Sequence, residues 1–296
     1  MNKVFIHIGL PKTATSSIQS FLYENKLFLH HNGYHYIQTG LNDVLKCHHD
    51  LVWKLGLHKG PSYVESDIEQ QKKAVLSALR VEVSNNQDKD LILSSELFTF
   101  LQDFKQLDTL LEIFKGKEIK YILNLRRQDR FLESLYQQVV KDGATQTFES
   151  WFHHSRGVAN YNILVTKLLQ ITSKENVIID VFDTRIPNLH PTESFLLSLG
   201  FSKKYLQRLN IENIRENESF SKKQIDQLQV SNMSNPNLRF ALMKEFEKEN
   251  SQGSSDKAQY LDAEWRKRII ESYKTSNLKL IEMMNISQDR AMYLLQ

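Results

Sequence analysis

A single cysteine, Cys47, occurs in 296 residues. One thiol makes no internal disulfide and no cysteine-based metal cluster, so the composition suits a reducing compartment. No other His/Cys/Asp/Glu grouping has metal-ligand spacing, and no metal is expected. Glycine (10) and proline (5) are scarce, and no low-complexity stretch interrupts the chain. With so little punctuation the expectation is one domain over 1–296, with 41–85 a helical insertion and 221–296 a C-terminal helical part. No apolar run approaches the roughly 18 residues of a membrane span, and Val4–Ile8 is too short for a secretion signal. A cytoplasmic protein without an integral membrane segment follows as the expectation. Charge of one sign is missing too: 38 basic against 35 acidic residues leave +3. Nothing global draws the chain to nucleic acid, and any anion site must be built locally.

The composition that is present, 41% hydrophobic and 25% charged, is that of a globular protein able to bury a core. Apolar runs at Val4–Ile8, Tyr34–Ile37, Leu91–Ser95, Lys120–Leu125 and Val177–Phe182 read as strands. Helical periodicity covers Thr15 to about Leu29, much of 41–85, Phe104–Phe114, Arg130–Lys141, Glu193–Leu199 and the chain from Ser221 onward. Strands alternating with helices predict an α/β fold with a parallel sheet and helices on both faces.

Between the first strand and the first helix lies Gly9-Leu10-Pro11-Lys12-Thr13-Ala14-Thr15-Ser16-Ser17. A helix N-terminus offers unpaired N–H groups and the positive end of its dipole, and a loop bearing a lysine and four hydroxyls suits a phosphate-type anion. The plainer reading is that Thr and Ser cap the helix, but a cap needs no lysine. A nucleoside triphosphatase loop would read G-x-x-x-x-G-K-[ST]; here the second glycine is absent and the lysine comes three residues after Gly9.

Other groups stand out. The strand ending Asn124-Leu125-Arg126-Arg127 closes in positive charge, and the following helix carries Glu133, Ser134, Tyr136 and Gln137. A guanidinium fork with a hydroxyl fits a phosphate monoester, although such a strand end also fits an ion-paired surface. Ser95-Glu96 ends a buried-type strand in a carboxylate, suited to a base or to a helix dipole. His48 and His49 fit a polar helical surface or a proton acceptor, and His7 a packed strand. Arg215, Asn217 and Ser219 precede a helix, as a cap or a closing loop. Trp53, Tyr63, Phe98, Phe100, Trp151 and Phe152 serve either the core or an acceptor pocket.

The loop resembles the 5′-phosphosulfate-binding loop P-K-[ST]-G-T-[TS] of sulfotransferases that use 3′-phosphoadenosine 5′-phosphosulfate (PAPS), with Lys12, Thr13, Thr15 and Ser16 in the matching places. Ala14 stands where the family has glycine. A Cβ limits positive φ, so a loop seated differently is expected. Arg126 and Ser134 have the family's spacing of eight, and Arg-Arg-Gln-Asp-x-x-x-Glu-Ser-x-Tyr-x-Gln is similar to bacterial members acting on glycans or small acceptors.

The resemblance implies a P-loop-like, three-layer fold with a central sheet of four or five strands and a helical acceptor-side lid. It implies that PAPS is held by Lys12, Thr13, Ala14, Thr15, Ser16, Ser17, Arg126 and Ser134, leaving as 3′-phosphoadenosine 5′-phosphate (PAP). Lys12 would bridge the sulfuryl group and leaving phosphate. Glu96 would be the general base, with His49 or His48 as the other candidates. The acceptor would be a glycan or another small hydroxyl compound, with no metal and no nucleic acid. A binding protein that has lost catalysis, or a nucleotide kinase or NTPase, are the other readings.

Overall fold

The computed structural model describes residues 1–62, 67–182, 190–206, 220–251 and 260–296. Five strands, β1 (Lys3–His7), β2 (Tyr34–Tyr36), β3 (Asp90–Ser94), β4 (Glu118–Arg126) and β5 (Val177–Phe182), form one sheet in the order β2-β3-β1-β4-β5. β1 pairs in parallel with β3 (Val4 opposite Leu91) and with β4 (Lys3 opposite Glu118), and β2 pairs in parallel with β3. Val4, Phe5 and Ile6 in β1 and Leu91, Ile92 and Leu93 in β3 are all buried. Residues buried on alternate faces are the reason these strands read as unbroken apolar runs instead of alternating patterns. The chain leaves β1 toward β2 and leaves the adjacent β4 toward β5, the reversal beside which open α/β sheets bind ligands.

Helices α1 (Thr15–Glu24), α2 (Lys26–His31), α3 (His49–Lys54), α4 (Ile68–Asn85), α5 (Gln128–Lys141), α6 (Phe148–Ser155), α7 (Tyr161–Leu168) and α8 (Pro191–Leu199) interleave with the strands. After a short helical turn at Lys203–Leu206 come α9 (Lys222–Ser234), α10 (Arg239–Ser251), α11 (Ala263–Met284) and α12 (Gln288–Leu295). The α/β expectation holds, with the sheet at five strands. Three local expectations do not. The helix expected to reach Leu29 breaks at Asn25, whose side-chain amide donates to the Phe21 carbonyl at 2.9 Å and so competes with the helical ladder. Phe104–Phe114 is a chain of short turns, started by the Asp103 carboxylate accepting from the Lys105 N–H at 2.9 Å. Within 41–85, residues 41–48 are non-helical; the Asn42 side chain accepts from the Val44 and Leu45 N–H groups and turns the chain.

The chain forms two compact units, Met1–Leu125 with Ile163–Arg215, and Arg126–Asn162 with Glu216–Gln296. In the first, Ile18, Phe21 and Leu22 of α1 and Phe195, Leu196 and Leu199 of α8 cover Phe5, Ile92 and Ile122 of the sheet.

The second unit is helical and held by polar groups as well as apolar ones. Phe131, Leu132, Tyr136 and Val140 form the buried side of α5. Gln128 and Asn277, both fully buried, exchange amide hydrogen bonds of 2.7 and 3.1 Å, and Asn277 also donates to the Leu294 carbonyl at 2.9 Å. Removing one member leaves the other buried without a partner, which is worse than removing both. Asn277→Leu is therefore expected to lower the unfolding free energy by about 2 kcal/mol, and Gln128→Leu with Asn277→Leu by less than the sum of the singles, read from urea denaturation midpoints.

Candidate active site

The loop after β1 is where the sequence and the structure meet most closely. Lys12 and Ala14 both have left-handed backbones, at φ +65° and +62°, while Thr13 between them does not. Ala14 thus takes the glycine-like conformation that its side chain disfavours, so the expected different seating of the loop does not arise on that account. Alternating hands turn successive N–H groups toward one side and make an anion nest. Thr13 and Thr15 are buried, and both hydroxyls donate to the Leu10 carbonyl, at 2.6 and 2.8 Å. They fold the loop. Neither caps α1, whose N-cap, Ala14, makes no side-chain hydrogen bond. The leading amides of α1, at Thr15 and Ser16, therefore lack acceptors within their own helix and have no side-chain cap. Gly9 closes the other side. A Cβ there would come 2.9 Å from His7 Nε2 and 3.1 Å from Thr15 Oγ1. Ser16 is exposed and Ser17 buried.

The expected base sits at the end of the neighbouring β3. Glu96 opens a short 3₁₀ turn, Glu96–Phe100, but its carboxylate does not serve that turn's amides. Its Oε2 accepts from Gln19 Nε2 at 2.8 Å, and its Oε1 lies 3.7 Å from His49 Nε2. The other ring nitrogen of His49 lies 2.8 Å from Ser95 Oγ. Glu96 and His49, separate candidates in the sequence, are one pair. Burial lowers the His49 pKa, with the Glu96 and Asp50 carboxylates acting against it. Burial thus favours the neutral His49 ring beside Glu96.

His48 is not a surface residue and not a free base. Fully buried, it donates from Nε2 to the Ile37 carbonyl at 2.8 Å and accepts at Nδ1 from the Ser94 N–H at 3.1 Å. Both nitrogens are committed to backbone, tying the segment before α3 to β3. Of the aromatics, Trp53 meets the His49 ring edge-on at 5.6 Å, and Phe100, 46% exposed, lies 6.0 Å from the His58 ring. Phe98 and Trp151 are core, and Phe152 packs on Phe148 and Trp265 in the second unit. Tyr63, Arg215, Asn217 and Ser219 lie outside the described residues.

The arginine block resolves into structural and unassigned parts, all within the second unit. Arg127 makes a bidentate pair with Asp129 at 2.6 and 2.8 Å, and Arg266 bridges Asp129 (3.1 Å) and Glu133 (2.7 Å). Burial works against the Asp129 charge, but the Arg127 and Arg266 guanidinium groups outweigh it and hold its pKa below the usual range. Gln128 is bound to Asn277, and the Tyr136 hydroxyl donates to the Gln146 carbonyl at 2.8 Å. The strand end is ion-paired, yet inside the protein and not on its surface. Arg126 is the last residue of β4, and its carbonyl accepts from the Tyr161 hydroxyl at 2.6 Å; Ser134 lies in the second turn of α5, partly exposed.

Three buried polar residues escaped sequence reasoning: Gln19, Ser94 and Asn124. Ser94 Oγ lies 3.2 Å from Gln19 Nε2 and 2.8 Å from His7 Nδ1, and His7 Nε2 lies 3.1 Å from Asn124 Oδ1. The signal was present: Gln19 falls on the face of α1 defined by Thr15, Ile18 and Leu22, where an apolar residue is expected.

No protein-family profile matches the chain, and no curated protein does. A crystal structure of a sulfotransferase from Alicyclobacillus acidocaldarius aligns over 97% of this chain and 98% of that one, with 13% identity and a TM-score of 0.48. A likeness at that score establishes no relationship. Among the described residues, no helix is long and apolar enough to cross a membrane, and no group of three or more His, Cys, Asp or Glu is placed to hold a metal ion.

Two measurements test this geometry. A left-handed alanine costs about 1–2 kcal/mol, and the looser unfolded chain of a glycine takes back about half of that. Ala14→Gly is expected to raise the unfolding free energy by about 0.5–1 kcal/mol by denaturant titration. Burial also pushes the His7 and His48 pKa values down to about 4 from 6.5. The unfolded chain binds both protons near pH 6.5 and the folded one only near 4, so stability is full above 6.5 and falls as pH drops through that window. The expected loss is about 2.4 kcal/mol for each ring, read as unfolding free energy at pH 7 and pH 4.5.

Proposed function

We propose that the protein transfers a sulfuryl group from PAPS to a hydroxyl of an acceptor, as the loop and arginine resemblances imply. The observation that carries the reading is the uncapped start of α1 behind a loop whose backbone alternates hands at Lys12 and Ala14. A lysine beside free helix amides suits a phosphate-type anion, and the missing second glycine argues against a nucleoside triphosphate.

When bound, PAPS supplies an activated sulfuryl group. The chain's own residues supply position, a base and positive charge. The amides of Thr13–Ser16 hold the 5′-side anion, with Thr13, Ala14, Thr15, Ser16 and Ser17 shaping the cradle. Lys12 meets the bridging oxygen, where negative charge grows as the sulfur–oxygen bond breaks. Arg126 and Ser134 take the 3′-phosphate. Glu96, paired with His49, takes the proton from the acceptor hydroxyl as its oxygen bonds to sulfur. Trp53 beside His49, and the exposed Phe100, favour an acceptor with a ring face, in keeping with a glycan or glycan precursor met in the cytoplasm. No metal enters these roles.

Calorimetric titration separates this reading from its rivals. PAP is expected to bind at micromolar level and ATP with magnesium not at all; the reverse outcome assigns the loop to a nucleoside triphosphate. In the same assay Arg126→Ala is expected to weaken PAP far more than adenosine 5′-phosphate, and equal losses would remove Arg126 from the 3′-phosphate. Glu96→Gln is expected to keep PAP affinity and lose about 100-fold in turnover. Unchanged turnover in that variant would point to a base other than Glu96.

A further inference from the structure

We propose that Gln19 is the positioning residue of this site: from one turn inside the donor-binding helix α1 it orients the Glu96 carboxylate and so couples the base to the phosphate loop. The proposal rests on the sulfuryl-transfer reading for its part in turnover, and on geometry alone for its hold on Glu96. Gln19 is 2% exposed, and its Nε2 has two acceptors, Glu96 Oε2 at 2.8 Å and Ser94 Oγ at 3.2 Å. Both amide hydrogens are thereby used.

The far side of Ser94 fixes which way the amide faces. With its Oδ1 placed 3.1 Å from His7 Nε2, Asn124 accepts there, which assigns the ring proton to Nε2 and leaves Nδ1 to accept from the Ser94 hydroxyl at 2.8 Å. Ser94 Oγ, having given its proton to His7, must accept from Gln19. A flipped Gln19 would turn Oε1 toward both a carboxylate and a spent hydroxyl. With that assignment the chain Glu96–Gln19–Ser94–His7–Asn124 has one sense, and it runs through a histidine kept neutral by burial to Asn124. It joins α1, β3, β1 and β4 at the carboxyl end of the sheet.

Gln19 lies four residues, about one helical turn, after Thr15 of the loop. A shift of α1 on closing around an anion moves the clamp on Glu96 with it. Three titratable groups face Glu96: His49 on α3, Cys47 just before it, and Tyr36 on β2. Burial pushes the Cys47 thiol up to about 12 and Tyr36 well above its usual value, so both stay neutral. His49 Nε2 stands 3.7 Å from Glu96 Oε1, and Gln19 is its counterpart on the other carboxylate oxygen.

The test uses the full chain with Gln19→Glu and Gln19→Leu, carbon-13 NMR titration of the Glu96 carboxyl, calorimetry with PAP, and hydrolysis of PAPS to PAP and sulfate, with water as the acceptor, against pH. Replacing a donor with a second carboxylate is expected to raise the Glu96 midpoint by at least about one pH unit and to carry the acid limb of the rate profile with it. Gln19→Leu, which removes the donor, is expected to raise the same midpoint less and to cut turnover about 30-fold, with PAP affinity within about threefold. It decides the matter alone should Gln19→Glu not fold. A Glu96 midpoint that moves in neither variant overturns the proposal. Failure of the unmodified protein to bind PAP overturns the sulfuryl-transfer reading instead, and the NMR midpoint still decides whether Gln19 holds Glu96.

Discussion

The first unit depends on the burial of β1. It lies third of five strands, paired on both edges, with Val4, Phe5, Ile6 and His7 sealed from water. A strand in that position forces every polar group at its carboxyl end to find a protein partner. His7 finds Ser94 on one neighbouring strand and Asn124 on the other. Those bonds hold the ends of β1, β3 and β4 together where the chain turns into the loop. Gly9 has to follow, because a side chain there would strike the His7 ring.

The same constraint explains how the loop and the base become parts of one place. Thr13 and Thr15 spend their hydroxyl protons on the Leu10 carbonyl, which tightens the loop and leaves the helix amides to something outside the protein. Two left-handed non-glycine residues in three positions are a local strain of about 1–2 kcal/mol each, kept by surroundings that determine the backbone. Strain beside uncapped amides and a partly exposed, hydrogen-bonded carboxylate is an arrangement suited to binding more than to stability.

In the second unit the strongest interactions are polar and buried. Arg127, Asp129, Glu133 and Arg266 satisfy one another, and Gln128 is matched to Asn277. Such groups stabilise only as complete sets, since a lone survivor keeps its desolvation cost. Much of the stretch that reads as one motif, Arg126 to Gln138, is thus a network that shapes the unit.

The sequence by itself determined the α/β class, the positions of the five strands, the loop at Gly9–Ser17 and the carboxylate at the end of β3. Each is encoded locally, in an unbroken apolar run, a glycine-proline break or a charged residue closing a buried strand. It did not reveal that His49 is paired with Glu96 or that His48 is a backbone tie. A polar residue in a polar stretch looks the same whether it faces water or a strand end 46 positions away. Gln19, Ser94 and Asn124 were hidden for a related reason. Side-chain hydrogen bonds carry no periodicity along the chain, and the partners lie 75 to 117 residues apart. Only tertiary structure brings them within 3 Å or so, because only the closed sheet removes the water that would otherwise satisfy them.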